Sequence, residues 1–515
     1  MSTSKYRIGS QNQSVARSAT VIGLATLTSR ILGFVRDVVI ARLFGIYIYA
    51  QAFVIAFRIP NLFRDLVGEG AANAALVPIL SEYSVKRSKE EFWELANVLL
   101  NLLVVILSAI TILGVIFSPL IVRMIAPGFI SSPEKLEATI QLNRVIFPYI
   151  LLIGLAAYAM AVLNSLKNFA VSAFAPCLLN ISIIVFALLL GEGTKGLACG
   201  VLVGGILQLA VQVPVLYKKG FHLKLALHFK HPGVIQVGRL MLPRLASSSI
   251  YQLNNFVDSI FGSLSVIVGD GGVAVLYFAY RLIQFPIGIF SNAISQAVLP
   301  TFSTQALESG LDELKVTLSW ALRTVFFLML PATAIFMTLS DSLVFTLFGG
   351  GRFDLASGLL TANALFFYSI GLCAYAGTKI LQSCFFALKD TVTPAKIAFL
   401  ALVMNIILNA VLMFPLKIGG LALATSISGI NAFFFLFFIL RARLGGFGGR
   451  KIFLAFLRML AAAFCMAAVC LLVNHALNLG WALFCGILSY VIFCFIFGVA
   501  ELKELLHWLA RKNIR

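Results

Sequence analysis

Long uninterrupted apolar runs are the feature of this chain that most restricts its fold. Most of them reach about 20 residues, the length at which an α-helix crosses the hydrocarbon of a bilayer. Only 11% of the 515 residues are charged, against about 25% in soluble proteins. A membrane barrel would show alternation over about ten residues, which the chain lacks. The sequence therefore predicts an all-α polytopic membrane protein, because helices satisfy their own backbone groups in lipid.

Fourteen candidate transmembrane helices follow from the positions of these runs. They are 19–48, 50–80, 94–124, 139–164, 170–190, 196–217, 235–265, 273–302, 315–347, 357–387, 394–414, 419–441, 452–474 and 480–507. The first span contains arginines and lacks a small-residue cleavage site, so we interpret it as a retained helix rather than a signal peptide.

Lysine and arginine are distributed unevenly over the connections between these spans. With a cytoplasmic N-terminus, 23 of them fall in inner ends and loops, and four fall outside: Lys135, Lys195, Arg352 and Lys417. This bias predicts that both termini are cytoplasmic. It also explains the net charge of +19 as a topology signal, which disfavours a nucleic-acid partner and leaves contact with anionic membrane lipids open.

The two halves of the chain resemble each other in sequence. GLAAYA at 154–159 matches GLCAYA at 371–376, and NSLKN at 164–168 matches FALKD at 386–390. Each repeat holds six spans, an even number, so both halves have the same orientation. Transporters of this design bind substrate between their halves. We therefore predict two six-helix lobes related by a pseudo-two-fold axis along the membrane normal, plus two C-terminal helices.

This repeat divides the chain into three predicted domains. They are an N-lobe at 1–225, a C-lobe at 226–445, and helices 13 and 14 with the C-terminus at 446–515.

Arginines lie inside the apolar spans, where a charge costs several kcal/mol unless it faces a partner or a water-filled cavity. Arg36 is in the first span, Arg64 in the second, and Arg281 in the repeat partner of the second. A guanidinium grips phosphate or carboxylate through two parallel hydrogen bonds. We predict that these three arginines bind an anion. The alternative is that Arg36 with Asp37, and Arg64 with Asp65, are structural clamps.

Four more charged residues are candidates for the same substrate site. Arg30 and Arg58 either line the cavity or lie at an interface and extend toward water. Glu69 shares the second span. Lys379 is inside the tenth, where it either lines the cavity or extends toward water.

Oxygen-bearing side chains at membrane depth form a second candidate site. Asp258 lies in the seventh span, Asn405 and Asn409 lie four residues apart on one helix face, and Thr425 follows in the next span. Such a set suits Na⁺, or a proton on Asp258. The alternative is hydrogen bonding between helices, which the spacing alone favours.

Signatures of an enzyme are absent from the sequence. It has no GxSxG, HExxH or P-loop motif, and its eight cysteines contain no CxxC pair. We therefore predict a non-enzyme without a cofactor, apart from Na⁺ or H⁺ as a coupling ion.

Six segments resemble motifs of the MurJ/MviN family, the proposed lipid II flippases of bacterial peptidoglycan synthesis. They are SRILGFVRD (29–37), FRIPNLFRDLVGEGA (57–71), APGF (126–129), FPYILLIGLAA (147–157), AFAPCLLNIS (173–182) and YRLIQFPIG (280–288). The resemblance covers nearly the whole chain. It implies the fold of the MOP exporter superfamily, the bacterial inner membrane, and movement of lipid II to the outer leaflet by alternating access.

The resemblance also assigns roles to residues. The family's important arginines fall on Arg30, Arg36, Arg64 and Arg281 of this sequence, and its two extra helices are thought to hold the polyprenyl tail. A Na⁺ site of some members falls on Asp258, Asn405, Asn409 and Thr425 with the Leu421 carbonyl. Here both positions of the eleventh helix are asparagine, so charge compensation rests on Asp258.

Other functions fit parts of the same pattern. A flippase for another polyprenyl-linked glycan would need the same cationic cavity, and only the family motifs disfavour it. A cation-coupled exporter of the same fold should prefer acidic and aromatic cavity residues, which the arginines argue against. A scaffold for cell-wall synthesis proteins would need no arginines at depth, although such proteins remain candidate partners.

Overall fold

A computed structural model describes residues 2–64, 75–191, 193–225, 231–307 and 311–504, with the side chains of 2–19 and 242–251 left undescribed. Within these ranges every regular element is a helix, and β-structure is limited to the bridge residues Gly350 and Phe353. The predicted all-α class is therefore confirmed.

The helices form two units. Unit 1 comprises Met1–Ser263 with Gly351–Phe353, and unit 2 comprises Leu264–Gly350 with Asp354–Arg515. The predicted division at 225 and 445 stays a prediction.

Unit 1 contains eleven α-helices in its described part. They are α1 (Ser2–Phe44), α2 (Ile48–Phe63), α3 (Val77–Lys86), α4 (Lys89–Ile116), α5 (Ser118–Ile125), α6 (Pro133–Ile146), α7 (Tyr149–Ser165), α8 (Ala170–Leu190), α9 (Thr194–Ala210), α10 (Val213–Lys218) and α11 (Pro232–Gly262). A 3-10 turn, Pro127–Ser131, joins α5 to α6.

The described part of unit 2 continues this numbering. Its helices are α12 (Ser265–Val268), α13 (Gly272–Pro286), α14 (Asn292–Gln305), α15 (Asp312–Thr338), α16 (Ser340–Phe348), α17 (Leu355–Ile370), α18 (Leu372–Ala387), α19 (Val392–Leu444), α20 (Gly449–Ala476) and α21 (Leu479–Ile496). A π-helical turn, Ile287–Ser291, joins α13 to α14.

The lengths of these helices agree with a membrane protein. In the described ranges nine helical stretches are long and apolar enough to cross a membrane, and three of them join two consecutive helices: α6 with α7, α9 with α10, and α13 with α14. The bent pair of α17 with α18, at 45°, would make a tenth. The helix α19 counts once among them, yet Lys417 interrupts it with φ 51° and ψ −128°. That break separates the predicted spans 394–414 and 419–441. The total of fourteen spans stays a prediction.

Matching turns support the internal repeat. Lys167 and Lys389 both adopt the left-handed conformation, with φ of 58° and 59°, which is uncommon outside glycine. In each turn the lysine amide donates to the carbonyl three residues earlier at 3.0 Å, and the next amide donates to the carbonyl five residues earlier at 2.9 Å. Two positions 222 residues apart therefore end their helices in the same way.

The second of these turns also starts α19. The Asp390 carboxylate accepts hydrogen bonds from the Val392 and Thr393 amides and from the Thr393 hydroxyl, and it pairs with Arg443 at 2.7 Å. Burial alone raises the pKa of Asp390, but the hydrogen bonds from Thr393 and the guanidinium of Arg443 outweigh it, so the pKa lies below its ordinary value.

The last two helices are tied to the rest of unit 2 by polar contacts. The Tyr490 hydroxyl donates to the Phe327 carbonyl at 3.0 Å, and the Asn474 amide donates to the Ser342 hydroxyl at 2.9 Å. The Glu501 carboxylate, which follows α21, pairs with Arg323 of α15. The C-terminal pair is therefore held against α15 and α16.

Candidate functional site

Among the described residues of unit 1, the most enclosed pair of opposite charges is Arg36 with Asp37, in the C-terminal third of α1. Arg36 is 2% exposed and Asp37 is 0% exposed. The Arg36 Nε and Nη2 atoms donate to one oxygen of Asp37 at 3.0 and 2.8 Å, and Nη1 donates to the Asn180 side-chain oxygen at 3.1 Å. Its guanidinium carbon lies 5.9 Å from the centre of the Phe57 ring.

This arrangement follows from the packing of α1 against α8. Asn180 lies on α8, and its amide nitrogen also donates to the Ser29 carbonyl at 3.2 Å, which fixes the side chain that meets Arg36. The geometry at Arg36 matches the clamp alternative, since Asp37 already meets its charge. Whether Arg36 also binds substrate stays a prediction. Sequence reasoning did not single out Asn180, although an amide inside an apolar span was a usable signal.

The other arginines of unit 1 have different environments. Arg30 lies on α1 about 1.7 turns before Arg36 and is exposed, and no described residue hydrogen-bonds or ion-pairs with its side chain. Arg58 of α2 is partly buried and donates to the Asn255 carbonyl on α11. Arg64 is partly buried at the end of α2, just beyond Pro60.

Two predicted residues of this region, Asp65 and Glu69, lie outside the described residues. The place of Glu69 in the substrate site stays a prediction, and so does the pairing of Asp65 with Arg64.

Unit 2 contributes two of the predicted cations. Arg281 of α13 is partly buried, with Nη2 3.5 Å from the Tyr277 hydroxyl and the guanidinium carbon 5.6 Å from the centre of that ring. An aromatic face attracts such a cation without neutralising it. Lys379 of α18 is partly buried, and its backbone carbonyl accepts a hydrogen bond from Ser295 of α14 at 3.4 Å.

The predicted ion ligands of unit 2 hydrogen-bond to one another. The Asn405 amide donates to the Thr425 hydroxyl at 3.0 Å, and the Asn409 amide donates to the Asn405 oxygen at 2.9 Å. The Thr425 hydroxyl in turn donates to the Leu421 carbonyl at 3.2 Å. The chain links the parts of α19 on either side of Lys417, as expected of polar contacts between membrane helices.

The chemistry of this set fits a weak cation site as well. The side-chain oxygen of Asn409 is buried and accepts no hydrogen bond from the described residues. Carbonyl and hydroxyl oxygens are hard ligands, but all four in unit 2 are neutral. The one carboxylate of the predicted set, Asp258, lies on α11 in unit 1 and is partly buried. Among the described residues no group of three or more His, Cys, Asp or Glu could hold a metal ion.

Apolar helices of spanning length, with arginines held inside them, define a polytopic membrane protein. Solved structures agree with this class. The structure of a multidrug resistance MATE family transporter of the MOP superfamily, in its inward-facing conformation, has a TM-score of 0.69 at 18% identity. The match covers 81% of this chain and 95% of that one, and it shows the fold alone.

The family is narrower than this class. Residues 40–492 match the family model described as lipid II flippase MurJ. The chain belongs to this MurJ family, as its motifs indicated. A solved structure described as lipid II flippase MurJ in an inward closed conformation has a TM-score of 0.80 at 28% identity, and covers 95% of this chain and 100% of that one.

Curated relatives agree over most of their length. A probable lipid II flippase MurJ of Buchnera aphidicola subsp. Schizaphis graminum is 36% identical over 82% of each chain. One from Vibrio cholerae is 34% identical over 80% of each chain, and a lipid II flippase MurJ of Burkholderia cenocepacia is 34% identical over 82% of this chain and 83% of its own. Family membership confirms that the chain is an integral membrane transporter and not an enzyme.

Proposed function

We propose that this chain moves lipid II from the cytoplasmic to the outer leaflet of the bacterial inner membrane by alternating access. The observation that carries the proposal is the family match over residues 40–492, which includes Arg58, Arg64 and Arg281. The substrate is a polyprenyl diphosphate that bears a sugar–peptide head group. Its diphosphate requires a cationic site, and both units supply arginines inside apolar helices.

The head group is held by arginines of both repeats in this proposal. Arg30, exposed and unpaired among the described residues, makes the first contact, and Arg64 and Arg281 add charge deeper in the chain's apolar spans. At Arg36 a phosphate takes the place of the Asp37 oxygen, since both are anionic acceptors for the same donors. Attraction is stronger in a partly dry cavity than in bulk water.

The remaining predicted residues complete the site in this proposal. The charge of the substrate site is adjusted by Arg58, Lys379 and Glu69. The last two helices contact the polyprenyl tail. Other cell-wall synthesis proteins supply and consume the lipid. Both termini are cytoplasmic, so a potential negative inside favours outward movement of the anionic head group by about 2.3 kcal/mol per charge per 100 mV.

The coupling ion is Na⁺ or H⁺. It binds with Asp258, and the oxygens of Asn405, Asn409, Leu421 and Thr425 complete a Na⁺ site. Its role is to reset the empty carrier after release of the head group.

The test measures lipid II exposed at the outer face of cells whose own flippase is depleted. The cells express wild type, Arg30→Ala, or the matched control Arg450→Ala, which removes an exposed arginine at the start of α20. We expect exposure with wild type and the control, and a loss of about tenfold or more with Arg30→Ala at equal membrane abundance. Arg30 is exposed, so its replacement leaves the buried contacts of α1 intact.

Two results would count against the proposal. Full exposure with Arg30→Ala would remove this arginine from the head-group site. Failure of a well-inserted wild type to expose lipid II would favour another polyprenyl-linked glycan as substrate.

A further inference from the structure

Two turns that occupy equivalent places in the repeats make equivalent contacts. The first is the 3-10 turn Pro127–Ser131, between the third and fourth predicted spans. The second is Gly351–Phe353, between the ninth and tenth. Gly128 and Phe129 of the first turn lie 224 positions before Arg352 and Phe353 of the second. Each phenylalanine is buried, with 1% and 2% of its surface exposed.

Each turn contacts the C-terminal end of the first helix of the other repeat. The Gly128 amide donates to the Ser263 hydroxyl at 3.0 Å. Ser263 directly follows α11, which is the first predicted span of the second repeat. The Arg352 amide donates to the Arg42 carbonyl at 2.8 Å, in the last turn of α1, the first span of the first repeat. We call these contacts the Ser263 clamp and the Arg42 clamp. Both lie within unit 1.

The Arg42 clamp depends on two glycines. A Cβ atom at Gly351 would lie less than 3.0 Å from the Arg42 carbonyl oxygen, and one at Gly45 would lie 2.5 Å from the Arg352 carbonyl oxygen. Both neighbouring atoms belong to the backbone, so they cannot rotate away as a flexible side chain can. Both glycines also have positive φ, 60° and 62°. The backbones therefore meet directly, and any larger residue would hold them apart.

The Ser263 clamp is closed by a side chain instead. Ser263 is 1% exposed, and its hydroxyl accepts from Gly128 while it donates to the Ile260 carbonyl at 2.7 Å. The Phe129 ring lies 5.4 Å from the ammonium of Lys135, which is itself 5% exposed. The turn is thus fixed on one side by α6 and on the other by the end of α11.

All the connections involved are odd-numbered, so the charge bias of the sequence assigns them to one side of the membrane, the outer side. A movement of one repeat against the other must change contacts that join a turn of one to a helix end of the other. Each clamp includes a hydrogen bond to a helix end beside a buried phenylalanine. A hydrogen bond of this kind contributes only about 1 kcal/mol net, so it can break and re-form as one conformation gives way to another.

We infer that the Ser263 and Arg42 clamps are a paired outer latch, which opens and recloses together in each transport cycle. This inference rests on the proposed alternating access, but its test does not depend on the substrate. Gly45, Ser263 and Gly351 thereby acquire a role in transport. The competing interpretation is that both contacts are permanent parts of the fold.

The test measures opening at one clamp after the other has been disturbed. Ser263→Cys is the reporter: purified protein in lipid nanodiscs is treated with a polar maleimide, and the rate is corrected for the eight native cysteines. Gly351→Ala, combined with the reporter, forces the Arg42 clamp apart. Gly350→Ala is the matched control, because Gly350 also has positive φ, 116°, but open space around its Cβ position.

We expect Gly351→Ala to accelerate labelling of the Ser263→Cys thiol by about tenfold, since overpacking of this kind populates the open form, and Gly350→Ala to change it little. Lipid II exposure in cells should fall with Gly351→Ala more than with Gly350→Ala. Equal labelling rates for the two alanine variants would overturn the latch. So would a reporter that stays unreactive with Gly351→Ala while an exposed Ser131→Cys in the same turn reacts.

A second pair of variants allows the same test if Gly351→Ala misfolds. If Gly351→Ala does not reach the membrane, Gly45→Ala disturbs the same clamp from the helix side. Its control is Gly191→Ala, at a glycine with φ of 58° and nothing within 4 Å of its Cβ position. Faster labelling with Gly45→Ala alone supports the latch, and equal rates reject it. Failure of lipid II transport by wild type would leave the labelling result unchanged, so the two proposals fail separately.

Discussion

Replacing Arg36 with glutamine tests the structural role of this arginine separately from its proposed role in substrate binding. The side chains of Arg36 and Asp37 are 3% and 0% exposed, and Arg36 makes two hydrogen bonds to Asp37 and one to Asn180. Breaking a buried ion pair from one side costs about 3–5 kcal/mol, because the remaining charge stays buried. We therefore expect Arg36→Gln to lower the free energy of unfolding by about that amount.

The double variant Arg36→Gln with Asp37→Asn removes both charges and keeps two amides that can hydrogen-bond. It should recover most of the loss and remain about 1 kcal/mol below wild type, the size of one imperfect hydrogen bond. If Arg36 also holds the diphosphate, the double variant will be stable and still fail to expose lipid II. If the pair of Arg36 with Asp37 has only a structural role, stability and transport will return together.

Thermal unfolding of the purified variants in detergent measures the first quantity, and the lipid II exposure assay measures the second. Membrane abundance is recorded for each variant, so that a folding defect is not taken for a transport defect. The reasoning is refuted if Arg36→Gln is as stable as wild type within about 0.5 kcal/mol, or if the double variant is no more stable than the single one.

Three further changes have expected outcomes. Glu501→Gln should lower the free energy of unfolding by about 2 kcal/mol, because it strands the partly buried Arg323, and Arg323→Gln in the same protein should restore part of it in thermal unfolding. Asn409→Asp adds a carboxylate to a neutral oxygen set, so NaCl should raise its unfolding temperature more than KCl does, and a wild-type-like response would contradict a cation site. Asp390→Ala should cost about 1 kcal/mol by removing the cap on the Thr393 amide. The folded pKa of Asp390 is lowered, so its stabilisation is present above the ordinary value of 3.8 and is lost as the pH falls through the folded pKa; the difference from Asp390→Ala should shrink in acid.

Hydropathy was sufficient to predict several helices closely. The span at 170–190 coincides with α8, and the separate spans at 394–414 and 419–441 anticipate the break of α19 at Lys417. The segments NSLKN and FALKD, which match in sequence, form two turns with the same backbone conformation. Such features are local: a membrane helix satisfies its backbone groups within itself, and a turn is closed by residues a few positions away.

The family and the transporter class were also accessible from sequence. They rest on motifs along the chain, and the family match confirms them. The arginines of α1 and α2 could be recognised because a charge is conspicuous in an apolar span.

The tertiary structure decided which partner each of those charges meets. Arg36 meets Asn180, 144 positions away, and a turn at Gly351–Phe353 packs with α1 rather than with its own neighbours in sequence. Neither contact has a local signature, because it depends on which helix lies alongside which. The sequence by itself thus determined the helices, their repeat and the presence of buried cations. Only the packing of distant segments determined that Arg36 also meets Asn180, and that two equivalent turns clamp the ends of α1 and α11.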